Sequence, residues 1–297
     1  MASAPLESWE QFRRAPAAEV ALLAPPTIIF AAGGTRRAAA LAGVALGEEF
    51  ARWSRIQMLE QFERCFALGA RHLIAPSARP QMFAEQGQYR ERVFQWMHWA
   101  LAGPESLAFY AERGWRVRFV VAGPSHPELA GLAAALADAT PSAPGDDRPT
   151  LWYTATASNE ELWAWQGAAF ANGARTRAEA ARALYGADIP PATLLISFGK
   201  LLLGPDLVPP LLVDELQCYW TQKPGYSLDD GDLRAILYDY LFLRPTWRED
   251  KTGRAEAAAA NAGQWRQAPT LGLGVRLGPF WYPAPAAPPA AEQEPPR

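Results

Sequence analysis

The stretch PTIIFAAGGTRRAAA, residues 26–40, decides both the fold and the candidate site of this chain. Its apolar, β-branched start ends before Gly33 and Gly34, as a buried strand of a parallel sheet does. Arg36 and Arg37 follow with no carboxylate beside them. A glycine turn that leads from a strand into a helix exposes backbone N–H groups, which together with arginines can hold a phosphate or diphosphate. The alternative is a tight turn with two solvated arginines.

Four more segments have the character of strands: RHLIAP (71–76), WRVRFVVAG (115–123), TLWYTATA (150–157) and ATLLISFG (192–199). Helix-like segments alternate with them, and the longest is GEEFARWSRIQMLEQFERCFALG (47–69), closed by Gly69. Strands that alternate with helices predict an α/β fold with a mostly parallel central sheet flanked by helices. We expect a single domain over residues 1–282 and a disordered, Pro/Ala-rich tail over 283–297.

Composition excludes several classes of function. The net charge of −3 provides no basic field, so we expect no nucleic-acid partner. Cys65 and Cys218 are far apart in apolar surroundings, which predicts buried thiols and neither a disulfide nor a cysteine metal site. No stretch is apolar enough for a membrane span, and the first residues lack the pattern of a signal peptide. We therefore expect a cytoplasmic protein.

Familiar catalytic motifs are missing from the sequence. It contains no GxxxxGK[ST], GxSxG or HExxH, and the three histidines are well separated, which favours structural roles for His72, His98 and His126. The acidic run LDDGD, residues 228–232, could bind a metal or cap a helix, and its place before an apolar run favours the cap.

Beyond these patterns, the chain resembles the cis-prenyltransferase (undecaprenyl diphosphate synthase) superfamily. The resemblance is carried in order by IIFAAGGTRR, RHLIAPSARP, GWRVRFVVAG, TLLISFGK and QCYWTQKPGYS. Within the superfamily, the chain is similar to the tuberculosinyl transferase and kolavelool synthase type of bacterial diterpene synthase. That similarity extends through FYAERGWRVRFVVAG, RAEAARALYG, LRAILYDYLFLRP and LGLGVRLGPFWY.

The resemblance implies a set of site residues. It makes the GTRR turn the diphosphate-binding element and places Phe50, Ser77 and Tyr89 at the pocket. Phe50 stands where the relatives have a pocket tyrosine, and Lys200 replaces an arginine. The implied catalytic residues are Arg36, Arg37 and Tyr89, and the implied substrate-binding residues are Gly33, Gly34, Thr35, Phe50, Ser77 and Lys200.

The departures from the superfamily concern its acids. Gly33 stands where the superfamily has an aspartate that holds Mg2+, and Gln217 stands where it has a glutamate. We therefore expect no metal ligands in the protein and consider Mg2+ possible only as an ion carried by the substrate diphosphate. Two acidic pairs could replace the missing acids or be solvated charges, namely Glu48 with Glu49 and Asp214 with Glu215.

The predicted function is that of a terpene synthase or terpenyl transferase. Arginines and backbone donors can stabilise the departing diphosphate of a prenyl or cyclic diterpenyl substrate, and aromatic rings can stabilise the cation that remains. Water or a small nucleophile then captures the cation. The candidate walls, which could equally be core residues, are Phe50, Tyr89, Trp96, Trp99 and Trp220.

Two other functions stay open. One is a non-catalytic superfamily member that binds prenyl diphosphate or regulates a partner, as the missing acids favour. The other is chain elongation, which is disfavoured because Ser197 falls near the place of an arginine that chain elongation uses. On the resemblance we also expect a homodimer, formed through QCYWTQKPGY and LRAILYDYLFL.

Overall fold

A six-stranded sheet forms the centre of the molecule. The structure, a computed structural model, describes residues 8–143 and 146–283. The strands are β1 Thr27–Ala31, β2 His72–Ala78, β3 Arg116–Val121, β4 Thr150–Ala155, β5 Ala192–Phe198 and β6 Val213–Thr221. Their order is β3-β4-β2-β1-β5-β6, and every neighbouring pair is parallel. The prediction of a mostly parallel sheet flanked by helices is confirmed. The sheet places the ends of β1, β2 and β5 side by side at its carboxyl edge.

Helices cover both faces of the sheet. The α-helices are α1 Trp9–Arg14, α2 Ala17–Ala21, α3 Thr35–Leu41, α4 Glu48–Ala67, α5 Pro80–Ala84, α6 Gly87–Ala102, α7 Pro104–Glu112, α8 Leu132–Ala139, α9 Asn159–Ala171, α10 Arg177–Tyr185, α11 Asp230–Tyr238, α12 Arg254–Ala260 and α13 Ala262–Arg266. Short 3-10 turns span Pro127–Leu129 and Pro210–Leu212, and a π-helical turn spans Asp239–Leu243. A separate antiparallel hairpin consists of β7 Gly274–Leu277 and β8 Phe280–Pro283.

Alternation along β1 builds two hydrophobic cores. Ile28 and Phe30 are buried on the face that carries α4 and α6, together with Phe62 of α4. Ile29 and Ala31 are buried on the opposite face with residues such as Tyr185 of α10. Both faces of β1 are therefore apolar, which is why the strand appears in the sequence as a continuous hydrophobic run.

Some elements differ from their predicted form. Residues 127–140 do not form one continuous helix, because Gly131 adopts a φ of 79° and separates a 3-10 turn from α8. The chain continues from α11 into a π-helical turn. The β7–β8 hairpin was not predicted from the sequence. Pro283, the first residue of the predicted tail, ends β8, and residues 284–297 of that tail lie outside the described residues.

The acidic run 228–232 and the two cysteines lie in well-defined surroundings. Asp229 caps α11 in a capping box with Asp232, so the acidic run is a helix cap. Cys65 and Cys218 are free thiols, the first buried and the second half-buried. Across the described ranges, no helix combines the length and apolar character that crossing a bilayer demands.

His72 has a structural role at the start of β2. Its Nδ1 atom lies 3.1 Å from the indole N–H of Trp152, which donates to it. Burial, with smaller contributions from Arg116 and Arg71, lowers the pKa of His72 from 6.5 to about 4. The neutral ring is therefore the form that the folded protein holds.

We predict that His72 makes the fold sensitive to acid. Because its pKa is lower in the folded than in the unfolded chain, its contribution is complete above pH 6.5 and is lost as the pH falls towards 4. Between pH 7 and 4.5, the free energy of unfolding should fall by about 2 kcal/mol more in the wild type than in His72→Gln. Urea titrations at both pH values measure this difference. Equal losses in the two proteins would contradict it.

Candidate active site

A cavity of about 700 Å³ opens at the carboxyl edge of β1 and β2, between the sheet and helices α4 and α6. One end of its lining is the glycine turn after β1, and the rest is mostly apolar. Its volume lies in the range of pockets that enclose small organic ligands. The lining residues are Phe30, Ala32, Gly33, Gly34, Thr35, Arg36, Phe50, Ala51, Ser54, Arg55, Met58, Phe62, Ala75, Pro76, Ser77, Arg79, Gln81, Met82, Val93, Trp96, Met97, Ala100, Leu101, Tyr153 and Tyr226.

Close packing fixes the glycine turn. Gly34 caps α3 in the left-handed conformation, with φ 74°, and the first hydrogen bond of the helix runs from the N–H of Arg37 to its carbonyl. The N–H groups that precede this bond have no partner within a helix. On the other side, the carbonyl of Gly33 accepts from the N–H of Gly225 at 2.9 Å. The turn is therefore held by the loop after β6, and its residues Gly33, Gly34 and Thr35 line the cavity.

Three arginines line the cavity. Arg36 comes from the turn, Arg55 from α4, and Arg79 from the end of β2. The sequence analysis predicted only the first of them. Arg79 could have been noticed because it follows a strand end, whereas Arg55 had no local signal on its amphipathic helix.

The other predicted cations lie outside this lining. Arg37 stands over the ring of Phe280 in the C-terminal hairpin, with Cζ 5.6 Å from the ring centroid. Lys200 is exposed and does not line the cavity. Tyr89 is also outside, but its ring lies 5.3 Å from Cζ of Arg36. Of the nine predicted site residues, the cavity thus brings together Gly33, Gly34, Thr35, Arg36, Phe50 and Ser77.

Ser77 lines the cavity, but its hydroxyl proton is engaged in a hydrogen bond. Its hydroxyl donates to the carbonyl of Thr154 at 3.0 Å, across the pair β2 and β4. A serine hydroxyl has one proton and two acceptor sites. In this arrangement Ser77 offers the cavity an acceptor and no donor.

Aromatic rings form the cavity wall opposite the sheet. Phe50 of α4 and Trp96 of α6 meet edge to face with centroids 6.3 Å apart. Trp99 stands behind them and stacks on Arg55, with Cζ 4.1 Å from its ring centroid. Trp220 as a wall residue is wrong, because it projects from β6 into a separate cavity beside Trp281. Phe50 and Trp96 therefore remain as wall candidates, with Trp99 as a support.

The deep end of the cavity contains two residues that the sequence analysis missed, Tyr153 and Tyr226. The hydroxyls of Tyr153 and Tyr110 lie 3.0 Å apart, and Tyr110 donates to the carbonyl of Leu101 at 3.2 Å. Burial raises the pKa of all three tyrosines above the ordinary value, so each stays neutral.

Among the described residues, no Asp or Glu side chain belongs to this lining. A Cβ on Gly33 would lie 3.1 Å from the carbonyl oxygen of Phe198, so an aspartate there would have to displace β5 slightly. Asp214 and Glu215 are wrong as replacements, because they lie at the start of β6, at the opposite edge of the sheet. Glu48 borders a different, smaller cavity with Arg52 and Trp99.

The described residues do not fit a protein-bound Mg2+. No group of three or more His, Cys, Asp or Glu residues in that part of the chain could hold a metal. Gln217 lies in mid-strand, where it pairs with Leu194, and its buried Oε1 has no hydrogen-bond partner among the described residues. Hard cations prefer several carboxylate oxygens. The charged side chains that line the cavity, within the described residues, are those of Arg36, Arg55 and Arg79.

We predict that Gly34 is needed for anion binding. Alanine at φ 74° is strained by about 1 kcal/mol, and its Cβ would lie 2.6 Å from Nη2 of Arg37. Gly34→Ala should weaken binding of inorganic diphosphate about tenfold in isothermal titration calorimetry, the effect of one lost hydrogen bond to a charged group. Gly43→Ala is the matched control, because Gly43 has a φ of 72° and nothing within 4 Å of its Cβ position. It should lose similar stability and bind normally. Equal binding by the two variants would contradict the role of the turn.

Comparison with known proteins agrees with the geometry. No family model matches the chain. The (+)-kolavelool synthase of Herpetosiphon aurantiacus is 46% identical over 288 residues, which cover 94% of this chain and 96% of that enzyme.

Solved structures share the fold at low sequence identity. Lavandulyl diphosphate synthase from Lavandula x intermedia, solved with dimethylallyl diphosphate, has a TM-score of 0.53 and 18% identity, and the match covers 77% of this chain and 98% of that one. A probable undecaprenyl diphosphate synthase from Campylobacter jejuni has a TM-score of 0.53 and 11% identity, over 75% and 97% of the two chains. With its cis-prenyltransferase fold and its similarity along nearly the whole sequence, the chain belongs to the kolavelool synthase family of diterpene synthases.

Proposed function

We propose that this enzyme ionises an allylic prenyl or cyclic diterpenyl diphosphate and that water or a small nucleophile captures the resulting cation. The observation that carries the proposal is the division of one cavity into a cationic end and an aromatic end. Arg36, Arg55 and Arg79 share the cavity with Phe50 and Trp96. The similarity to (+)-kolavelool synthase supports a diterpenyl substrate.

In the first step, the bond between the allylic carbon and the diphosphate oxygen breaks. Its electron pair passes to the diphosphate, which guanidinium groups and the N–H groups of the turn stabilise as negative charge accumulates. The allylic cation remains against the faces of the aromatic wall, where ring quadrupoles favour positive charge. Arg36 is the residue best placed to act on the leaving group, because it belongs to both the turn and the cavity.

In the second step, the oxygen of water forms the new bond to carbon. The proton that water loses passes to the released diphosphate, and the products are a terpene alcohol and diphosphate. If a small nucleophile replaces water, it forms the bond to carbon, its proton passes to the diphosphate, and the product is a prenylated compound. We assign Tyr89 to holding Arg36 and not to orienting this water, because its ring lies beside the guanidinium and outside the cavity lining.

The described residues offer Mg2+ no ligand set, so neither step is routed through a protein-bound ion. Where the substrate diphosphate carries the ion, the diphosphate oxygens supply its ligands. Arg37 and Lys200 are proposed to attract the anion from outside the cavity, since both are cations that follow strands ending at this edge.

The turnover prediction separates catalysis from binding alone. Purified enzyme should release diphosphate from at least one member of a panel of C10 to C20 prenyl, labdane and clerodane diphosphates, assayed with Mg2+ and with EDTA. Arg36→Gln should lower kcat/KM at least a hundredfold, as expected when a charged donor to the leaving group is lost. Arg52→Gln is the control, because Arg52 lines the separate small cavity.

No release with any substrate in either condition would overturn the enzymatic proposal. Tight binding of prenyl diphosphate without turnover would instead support the second candidate, a non-catalytic binding or regulatory subunit. The observation that favours this candidate is the cavity lining without a carboxylate.

We also propose a homodimer formed by the β6 side of the molecule. β6 is an edge strand, and large apolar side chains are exposed in the segments that follow it, such as Trp247 at 73% and Trp265 at 68%. Exposed apolar area of this kind is typical of subunit interfaces.

A cytoplasmic location remains a prediction of the sequence.

Light scattering should give a mass near twice 32.5 kDa at micromolar concentration. The double variant Trp247→Ser/Trp265→Ser should shift the distribution towards the monomer. The control is Trp163→Ser in α9, which removes a tryptophan that is 52% exposed and should leave the distribution unchanged. A wild-type monomer would contradict the proposal.

A further inference from the structure

Arg79 is held at the cavity by a carboxylate from a distant part of the chain. Its Nε atom donates to Oδ2 of Asp206 at 2.6 Å, and the two residues are 127 positions apart. Asp206 lies in the loop between β5 and β6, and its side chain is only 6% exposed. Asp206 itself is not among the cavity-lining residues.

The loop fits closely around this carboxylate. Burying a charge is costly unless it is paired, and Arg79 is the side chain that pairs with Asp206 in the described part of the protein. A Cβ on Gly204 would lie 2.5 Å from Oδ1 of Asp206, so a side chain at position 204 would require this carboxylate to shift. The N–H groups of Leu207 and Val208 donate to the carbonyl of Gly204 and fix the turn.

The ion pair with Asp206 uses only the Nε end of the Arg79 guanidinium. Arginine has five N–H donors in a planar fork, and the bond to Asp206 uses the one on Nε. Within the described ranges, the two Nη atoms of Arg79 have no hydrogen-bond partner. Because the side chain lines the cavity, four donors remain for an anion bound there. Because Asp206 anchors the guanidinium plane, the Arg79 side chain also loses less rotamer freedom when an anion binds.

We propose that Asp206 is a positioning residue for the diphosphate site. It holds the guanidinium of Arg79 by Nε, so that both Nη groups face the anion that the glycine turn binds. The inference rests on the proposed function, since it assigns Arg79 to the same diphosphate. Asp206 acts through Arg79 and does not touch the substrate.

A double-mutant cycle tests the proposal. Isothermal titration calorimetry with inorganic diphosphate is applied to the wild type, Asp206→Asn, Arg79→Gln and the double variant, with thermal unfolding recorded for each. Asp206→Asn should weaken binding about tenfold, and Arg79→Gln by at least as much. In the double variant, diphosphate affinity should equal that of Arg79→Gln, because Asp206 has nothing left to position.

Asp146→Asn is the matched control. The Asp146 side chain is 3% exposed and pairs with Arg148 at 2.7 Å, beside the amino ends of β3 and β4 and away from the cavity. It should lose stability as Asp206→Asn does, with unchanged diphosphate affinity. The double variant removes both charges together, so it avoids leaving one buried charge unpaired and keeps the test available if a single variant unfolds.

Each result decides between distinct claims. If the wild type binds diphosphate and Asp206→Asn binds equally well, the positioning role is wrong and the proposed function stands. Additive losses in the double variant would also overturn it, because they would mean that Asp206 acts independently of Arg79. If the wild type does not bind diphosphate, the proposed function fails and this inference fails with it.

Discussion

Repulsion between like charges is the constraint on which this site depends. Three guanidinium groups share one cavity, and the described part of the chain contributes no carboxylate to its lining. Like charges that line one cavity repel each other unless counter-charges offset the repulsion. Each group is therefore held from outside, Arg36 by the ring of Tyr89, Arg55 by Trp99 and Glu105, and Arg79 by Asp206. The donors are fixed before an anion arrives, as a preorganised site requires.

The sheet gives this arrangement its rigidity. Gly33 packs against the carbonyl of Phe198, and the N–H of Gly225 donates to the Gly33 carbonyl, so β5 and the loop after β6 hold the turn between them. The cationic end is thus attached to the most buried strands of the molecule. The aromatic end lies on two helices, where side chains can adjust to the shape of a hydrocarbon.

Features that depend on neighbouring residues could be read from the sequence, and those that depend on distant residues could not. The strand, the glycine turn and Arg36 lie within one short stretch, and their periodicity and chemistry are local. Arg55 and Arg79 were missed because their partners, Glu105 and Asp206, are 50 and 127 residues away. Asp214 and Trp220 were misplaced because the direction and register of β6 decide which edge and which face they occupy.

The hydrogen-bonded pair of Tyr110 and Tyr153 limits the chemistry available to the cavity. Tyr110 gives its proton to the carbonyl of Leu101, so the hydrogen bond between the hydroxyls uses the proton of Tyr153. Tyr153 is left with lone pairs, and its pKa is raised. No Asp, Glu or His residue lines the cavity in the described part of the chain. Such a cavity can separate charge but cannot protonate an alkene. Ring closure that starts with protonation of an alkene must therefore precede binding, whereas ring closure by an allylic cation needs no acid.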